Sequence, residues 1–212
     1  MSQDDRQIRK ATVADAPRIA QMHVESWLET YTGIVPEEIL TALSVPRRTL
    51  AWESILRDPA GHDDSVVYLK EMDGVVAGFG ACSEQRDSDL KARGFDGEIG
   101  AIYVLRFFQK QGIGRSLMKE LAIDLSGRGS RGIALWVLNE NARARGFYEK
   151  CGGELIGERK DVRDPVTLTE VAYGWRDIAV LQSAFNGVTQ FATYIKYQDP
   201  SMRRYSVTDP MR

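Results

Sequence analysis

The sequence predicts an α/β domain: a single mixed sheet flanked by helices. Three observations carry this. Two β-rich runs in "SVVYLKEMDGVVAGFGACSE" meet around Asp73-Gly74, as the strands of a hairpin do. The strand-like "EIGAIYVL" leads into a glycine loop, a helical run "RSLMKELAIDLS" and the nearly all-apolar "IALWVL". This is a strand–loop–helix–strand unit, with a last strand covered on both faces. The overall order is helices, hairpin, strand–helix–strand–helix and two strands, which suits one sheet rather than separate layers.

Taken in order, "IRKAT" from Ile8 to Thr12 reads as a short strand. "TVADAPRIAQMHVESWLETY" opens a helix that Thr12 or Asp15 can cap, with Pro17 in its first turn and Ile19, Met22, His23, Ser26 and Trp27 at helical spacing. Gly33 and Pro36 end it; "PEEILTALS" restarts a helix and "RRTLAWESILRD" is a third. The hairpin follows, then the polar loop "QRDSDLKARGFDG" and the central unit, whose helix places Leu117, Met118, Leu121, Ala122 and Leu125 on one face. "NARARGFYEK" is a short helix closed by Cys151-Gly152-Gly153, and "ELIGER" and "VTLTEVAYGW" are the last strands. Residues 1–178 then make one domain and 179–212 an extension. In the extension Val180, Leu181, Ala184, Phe185, Val188, Phe191, Ala192 and Ile195 recur at helical steps. So much apolar surface is expected to pack on a partner subunit, as in a homodimer, or over its own domain. The final "YQDPSMRRYSVTDPMR" is polar and expected to be loosely held.

Composition narrows the function. With 43% hydrophobic and 27% charged residues and a net charge of −2, the 212-residue chain is ordinary for a globular protein and has no general basic field to draw it to nucleic acid. Its two cysteines, Cys82 and Cys151, form no CxxC pair, and its two histidines, His23 and His62, lack metal-ligand spacing, so no metal is expected. The polar "MSQDDRQIRK" is no signal peptide and no run is long enough to span a membrane, so the cytoplasm is the expected location.

The glycine loop reads as a site for something negatively charged. A Walker loop needs GxxxxGK[ST], and no such run exists. A dinucleotide fingerprint needs GxGxxG, and counting from Gly112 its sixth position is Leu117. What remains is Q-x-x-G-x-G, standing as Gln109-Lys110-Gln111-Gly112-Ile113-Gly114 and followed by Arg115-Ser116. Backbone N–H groups of such a loop and helix start, with the helix dipole, suit a pyrophosphate, and Lys110 and Arg115 add positive charge. Beyond the apolar strand, "NENARARGFYEKCGG" fits N-x-x-A-x-x-x-Y-x-K-x-G at Asn141, Ala144, Tyr148, Lys150 and Gly152, with positions 141, 144 and 148 on one helix face.

At these residues the chain resembles the GNAT family of acetyl-CoA-dependent N-acetyltransferases, from about Ile8 to Trp175. Two departures stand out. "LRFFQ" replaces a proline and an acidic residue before the glutamine, and Gly153 stands where phenylalanine is common, which should loosen local packing. The resemblance implies the GNAT fold, with a sheet that splays at its centre to admit the cofactor. The loop residues from Gln109 to Ser116, Ile113 included, would hold the pyrophosphate. The arm would lie against Ile102, Tyr103 and Val104, with the Val104 N–H polarising the acetyl carbonyl. Asn141 would bond the pantetheine arm, Ala144 would leave it room, and Tyr148 would sit by the sulfur. The competing reading of Tyr148 is a core aromatic with a satisfied hydroxyl.

An alkylammonium of pKa near ~10 must lose a proton before it attacks. Glu98 lies eleven residues before Gln109, the offset of the general base in the histone-acetylating branch of the family, at the head of a partly buried strand. It is the candidate base, directly or through water; the competing reading is a solvated strand-end glutamate. Tyr148 is the candidate acid for the departing thiolate, and Cys151 reads as a structural thiol. "SWLETYTGIVPEE" resembles the wording of one large bacterial branch; Trp27 and Tyr31 in it are candidate acceptor-site residues, and Glu29, Glu37 and Glu38 could attract a cation. Equally, Trp27 and Tyr31 could face the core and the acids solvent. The function expected is acetyl transfer to a primary amine of a small molecule or peptide; the alternative is a catalytically silent acyl-CoA-binding sensor or scaffold.

Overall fold

The computed structural model describes residues 8–163, 166–179 and 181. Seven strands form one sheet in the order β1-β2-β3-β4-β5-β7-β6: β1 (Ile8–Lys10), β2 (Val66–Met72), β3 (Val75–Glu84), β4 (Gly97–Val104), β5 (Ile133–Leu138), β6 (Glu154–Arg163) and β7 (Val166–Trp175). All neighbours are antiparallel except β4 and β5. Among the described residues six α-helices flank it: α1 (Ala16–Tyr31), α2 (Glu37–Thr41), α3 (Val45–Arg57), α4 (Ser88–Ala92), α5 (Ile113–Gly127) and α6 (Ala142–Lys150). Among the described residues no helix is long and apolar enough to cross a membrane.

Local chemistry explains most boundaries. Asp15 reaches back to the Thr12 N–H at 2.8 Å and Pro17 sits in the first turn of α1. Ser44 caps α3, which starts earlier than "RRTL" suggests because Val45 and Pro46 also fit its first turn. Asp73 and Gly74 both have positive φ (50° and 77°), the pairing a tight two-residue hairpin demands. The expected polar loop after β3 is corrected: it contains α4, whose N-terminus Asp87 caps by accepting from the Asp89 and Leu90 N–H groups.

The sheet separates two apolar layers. Met118, Leu121 and Leu125 of α5 and Tyr148 of α6 pack on one face with Ile133, Leu135 and Tyr173. Ile19 and Met22 of α1 and Trp52 of α3 pack on the other with Leu69 and Phe79. "IALWVL" is covered on both sides as its composition predicts: Ile133, Leu135 and Val137 face α5, while Ala134 meets Leu90 and Phe95 beside α4.

The feature that makes a site is the break between β4 and β5. They pair only at Gly97↔Ile133 and Glu98↔Ala134, then part. On its other edge β4 stays on β3, with a register shift at Ala81/Cys82 that leaves Gly100 unmatched as a bulge. The splay expected from the family resemblance is present.

Candidate active site

A cavity of about 980 Å³ occupies the gap and runs from the glycine loop to the ends of α1 and β7. Its walls include Ile102, Tyr103 and Val104 of β4, Gln109, Lys110, Gly112, Gly114 and Arg115 of the loop, and Asn141, Ala144 and Tyr148 of α6. Trp27, Tyr31 and Glu98 line it too, so residues far apart in sequence meet in one space. The Leu105 N–H donates to the Ala77 carbonyl on β3 at 3.0 Å. Strand alternation therefore turns the main-chain groups of Val104 and Ile102 toward the gap.

The loop is held by Gln109. Its side-chain N–H donates to the Val104 carbonyl at 2.9 Å, and its Oε1 accepts from Arg143 at 2.9 Å, joining the end of β4 to α6. Gly112 begins α5 with φ of 85°, a left-handed conformation natural to glycine, and no side chain caps the helix. The first N–H groups of α5 are thus left to an external acceptor. A Cβ on Gly114 would lie 3.4 Å from the Phe147 ring and 3.9 Å from Val104, so glycine keeps the wall thin there. Lys110 and Arg115 are exposed at the rim. This donor set fits a pyrophosphate. The side chains of three other loop residues do not line the cavity. Gln111 donates back to the Phe107 carbonyl, Ile113 is buried under the sheet, and Ser116 is exposed with its N–H already donated to Gly112.

Asn141 is the N-cap of α6, accepting from the Ala144 N–H at 3.1 Å, and its amide also interacts with the Tyr31 hydroxyl. Tyr148 lies one helix face along, 6% exposed, its ring edge-on to Phe147 and Trp175. Burial, reinforced by the nearby Tyr31 and Cys151, pushes its hydroxyl well above the ordinary phenol range, so it keeps its proton. Burial raises Cys151 as well, which leaves it a thiol rather than a nucleophile. Gly153 corrects an expectation. A Cβ there would stand 2.7 Å from the Trp175 ring and 3.0 Å from the Tyr148 carbonyl. The space is filled by Trp175, whose indole donates to the Cys151 carbonyl at 2.9 Å, and packing is tight rather than loose.

Glu98 is not a solvated strand-end acid: its side chain is 9% exposed and paired with Arg86. Trp27 and Tyr31 do face the cavity; the Trp27 indole donates to the Tyr103 hydroxyl at 3.1 Å. Glu29 accepts from the Arg106 N–H at 2.8 Å, so "LRFFQ" and α1 clamp the rim between them. Glu37 and Glu38 are exposed and do not line the cavity. The cavity is also lined by residues that the sequence pattern alone did not single out: Arg86, Trp136, Arg159 and Glu170. Arg159 bonds Glu170 at 2.8 Å and stacks 4.1 Å from the Trp136 ring centroid. Strand pairing of β3 with β4, of β5 with β7 and of β6 with β7 brings them there, and only that register could have revealed them.

The Acetyltransferase (GNAT) family profile matches residues 22–153. The chain is 32% identical over 179 residues to the uncharacterised N-acetyltransferase YuaI of Bacillus subtilis, covering 84% of this chain and 98% of that one. It is 30% identical over 146 residues to a probable N-acetyltransferase of Mycobacterium tuberculosis, covering 68% and 76%. In fold it is similar to the PaiA N-acetyltransferase of Thermoplasma acidophilum solved with coenzyme A, with a TM-score of 0.62 at 19% identity over 80% of this chain and 98% of that one. A split β4/β5 pair, an uncapped glycine-led helix beside it and a sequence match over most of the domain agree: the chain belongs to the GNAT family and is an acetyl-CoA-dependent N-acetyltransferase.

Proposed function

We propose that the protein moves the acetyl group of acetyl-CoA directly to a primary amine of a small molecule or peptide, with Glu98, directly or through water, as base and Tyr148 as acid. The observation that carries this reading is the meeting of Glu98 and Tyr148, from different elements, in one cavity where β4 and β5 part. Acetyl-CoA supplies the acetyl group as an activated thioester. The α5 N-terminus, Lys110 and Arg115 would hold its pyrophosphate, and the main chain of Ile102 and Val104 would meet its amide-bearing arm. Val104 offers an N–H to the acetyl oxygen. Glu98 accepts the proton that an ammonium must lose. Tyr148, protonated by virtue of its burial, holds the proton a departing thiolate needs.

The test is acetyl-CoA with a panel of primary amines and peptides (phenethylamine, putrescine, lysine-bearing and free-N-terminal peptides), read as free thiol above the hydrolysis background. Release with at least one acceptor is expected. Tyr148→Phe should keep coenzyme A binding and lose about 10²-fold in turnover. Thermal stabilisation by coenzyme A without turnover on any amine would point to a sensor instead. Unchanged turnover in Tyr148→Phe would remove it as the acid.

A further inference from the structure

We propose that Arg86 is a positioning residue for this reaction: it fixes the Glu98 carboxylate so that one oxygen faces the acceptor's proton. The inference rests on the reading of Glu98 as base. The sheet puts the two together. β3 pairs Ser83 with Glu98 and Glu84 with Gly97, so the chain leaving β3 turns beside the head of β4. Gln85 pins that turn; its N–H donates to the Asp96 carbonyl at 2.9 Å, and its Oε1 accepts from the Asp87 N–H at 3.0 Å. Arg86 then donates three times to Glu98: from its main-chain N–H to Oε2 at 3.1 Å, from Nε to Oε2 at 3.0 Å, and from Nη2 to Oε1. A carboxylate has about four acceptor positions, and three are filled from this one residue. The position left belongs to Oε1.

The pair is also one-sided. Glu98 is 9% exposed, whereas Arg86 is 58% exposed, and both line the cavity. The guanidinium lies along β4, 3.5 Å from where a Cβ on Gly100 would stand. A side pocket of about 250 Å³, walled by Arg86, Asp87, Glu98, Trp136 and Arg159, shares four of these residues with the main cavity. Among the described residues, the charged groups that wall this side pocket with Glu98 are Arg86, Asp87 and Arg159. Arg159 is engaged by Asp87 and Glu170, so Arg86 is the partner that orients the carboxylate. In the step itself an N–H bond of the ammonium breaks, the proton passes to Glu98 Oε1, and the electron pair stays on nitrogen as the nucleophile. Arg86 touches no reacting atom; without it the side chain of Glu98 is free to swing, and misplacement is costly.

The experiment compares the full-length protein with Arg86→Ala, Arg86→Lys and Glu98→Gln, using phenethylamine and a lysine-bearing peptide as acceptors at pH 7 and 9.5. Near pH 9.5 solution supplies a large share of the alkylamine neutral, since its pKa is ~10. Arg86→Ala should lower kcat about 10-fold or more at pH 7 and much less at pH 9.5, with KM for acetyl-CoA unchanged. Arg86→Lys keeps the charge without the fork and should fall between. An equal loss at both pH values, or none, in both Arg86 variants overturns the proposal, because a structural pair gives a loss independent of amine protonation. Glu98→Gln separates the two failures. If it leaves the pH 7 rate intact, the base reading fails. If it slows the pH 7 rate while Arg86→Ala does not, only the role of Arg86 fails.

Discussion

At the scale of single residues, burial decides what each polar group can do. His23 shows this outside the active site. It lies in the core 6% exposed, and its Nδ1 accepts from the Trp52 indole at 3.2 Å. That bond requires a neutral ring, because a proton on Nδ1 would oppose the indole N–H. Burial, with a smaller contribution from Arg48, lowers its pKa from 6.5 to about 3. Between those values the unfolded chain binds a proton that the folded chain refuses, so stability falls as pH drops through 6.5 toward 3. Urea unfolding from pH 7.5 to 4.5 should show a loss approaching about 1.4 kcal/mol per pH unit from this group. Asp15 and Glu71, held low by hydrogen bonds from Arg9 and Arg18, and Asp124, also lowered, act only from about pH 5 downward, so the part of the window above about pH 5.5 isolates the histidine. His23→Asn should lose that part of the slope; an unchanged slope would remove His23 from the account.

At the scale of elements, what was legible followed from periodicity, and what was not followed from register. Long amphipathic α1 and α5, the Asp73-Gly74 hairpin and the doubly covered β5 all announce themselves in the order of apolar residues. Helix α4 does not, because five residues in a polar run carry no period and only Asp87 marks its start. Strand β6 runs past "ELIGER" to Arg163; as the edge of the sheet its outer residues are polar and mimic a loop. The glycine loop, Tyr148 and Glu98 were visible as motif and offset, whereas Arg86, Trp136 and Glu170 reach the cavity only through strand pairing. Gly153 is the instructive miss. A missing phenylalanine suggested a gap, but Trp175, from a strand more than twenty residues on, fills it. Gly153→Ala should therefore overpack the α6–β7 contact and destabilise the fold by about 1–3 kcal/mol in urea unfolding. No loss of stability would mean that Trp175 can move aside.

At the scale of the molecule, the remaining question is where the domain ends. Beyond β7 the chain turns back: the Ile178 N–H donates to the Arg131 carbonyl at 2.9 Å. Ile178 and Leu181, 4% and 0% exposed, join the layer formed by α5, β5 and Trp175. The extension begins by completing the core of its own domain, on the face that also carries Tyr148. The rest of its apolar pattern, Val180 and Ala184 to Ile195, lies outside the described residues, and a homodimer through it is a proposal tested separately by size. Truncation after Leu181 should give a folded domain that still binds coenzyme A, since the last core side chain among the described residues is kept. Truncation after Trp175 removes Ile178 and Leu181, exposing apolar side chains of the layer they cover. Burying one such residue fully contributes about 1.5–3 kcal/mol, so losing two takes a large fraction of a stability of about 5–15 kcal/mol. The shorter chain should melt well below the longer one, and coenzyme A should raise its melting temperature if the site survives. Equal melting of the two truncations would place the domain boundary before Ile178. A fall in size on gel filtration after the Leu181 truncation, with folding intact, would assign the remaining segment to a subunit contact.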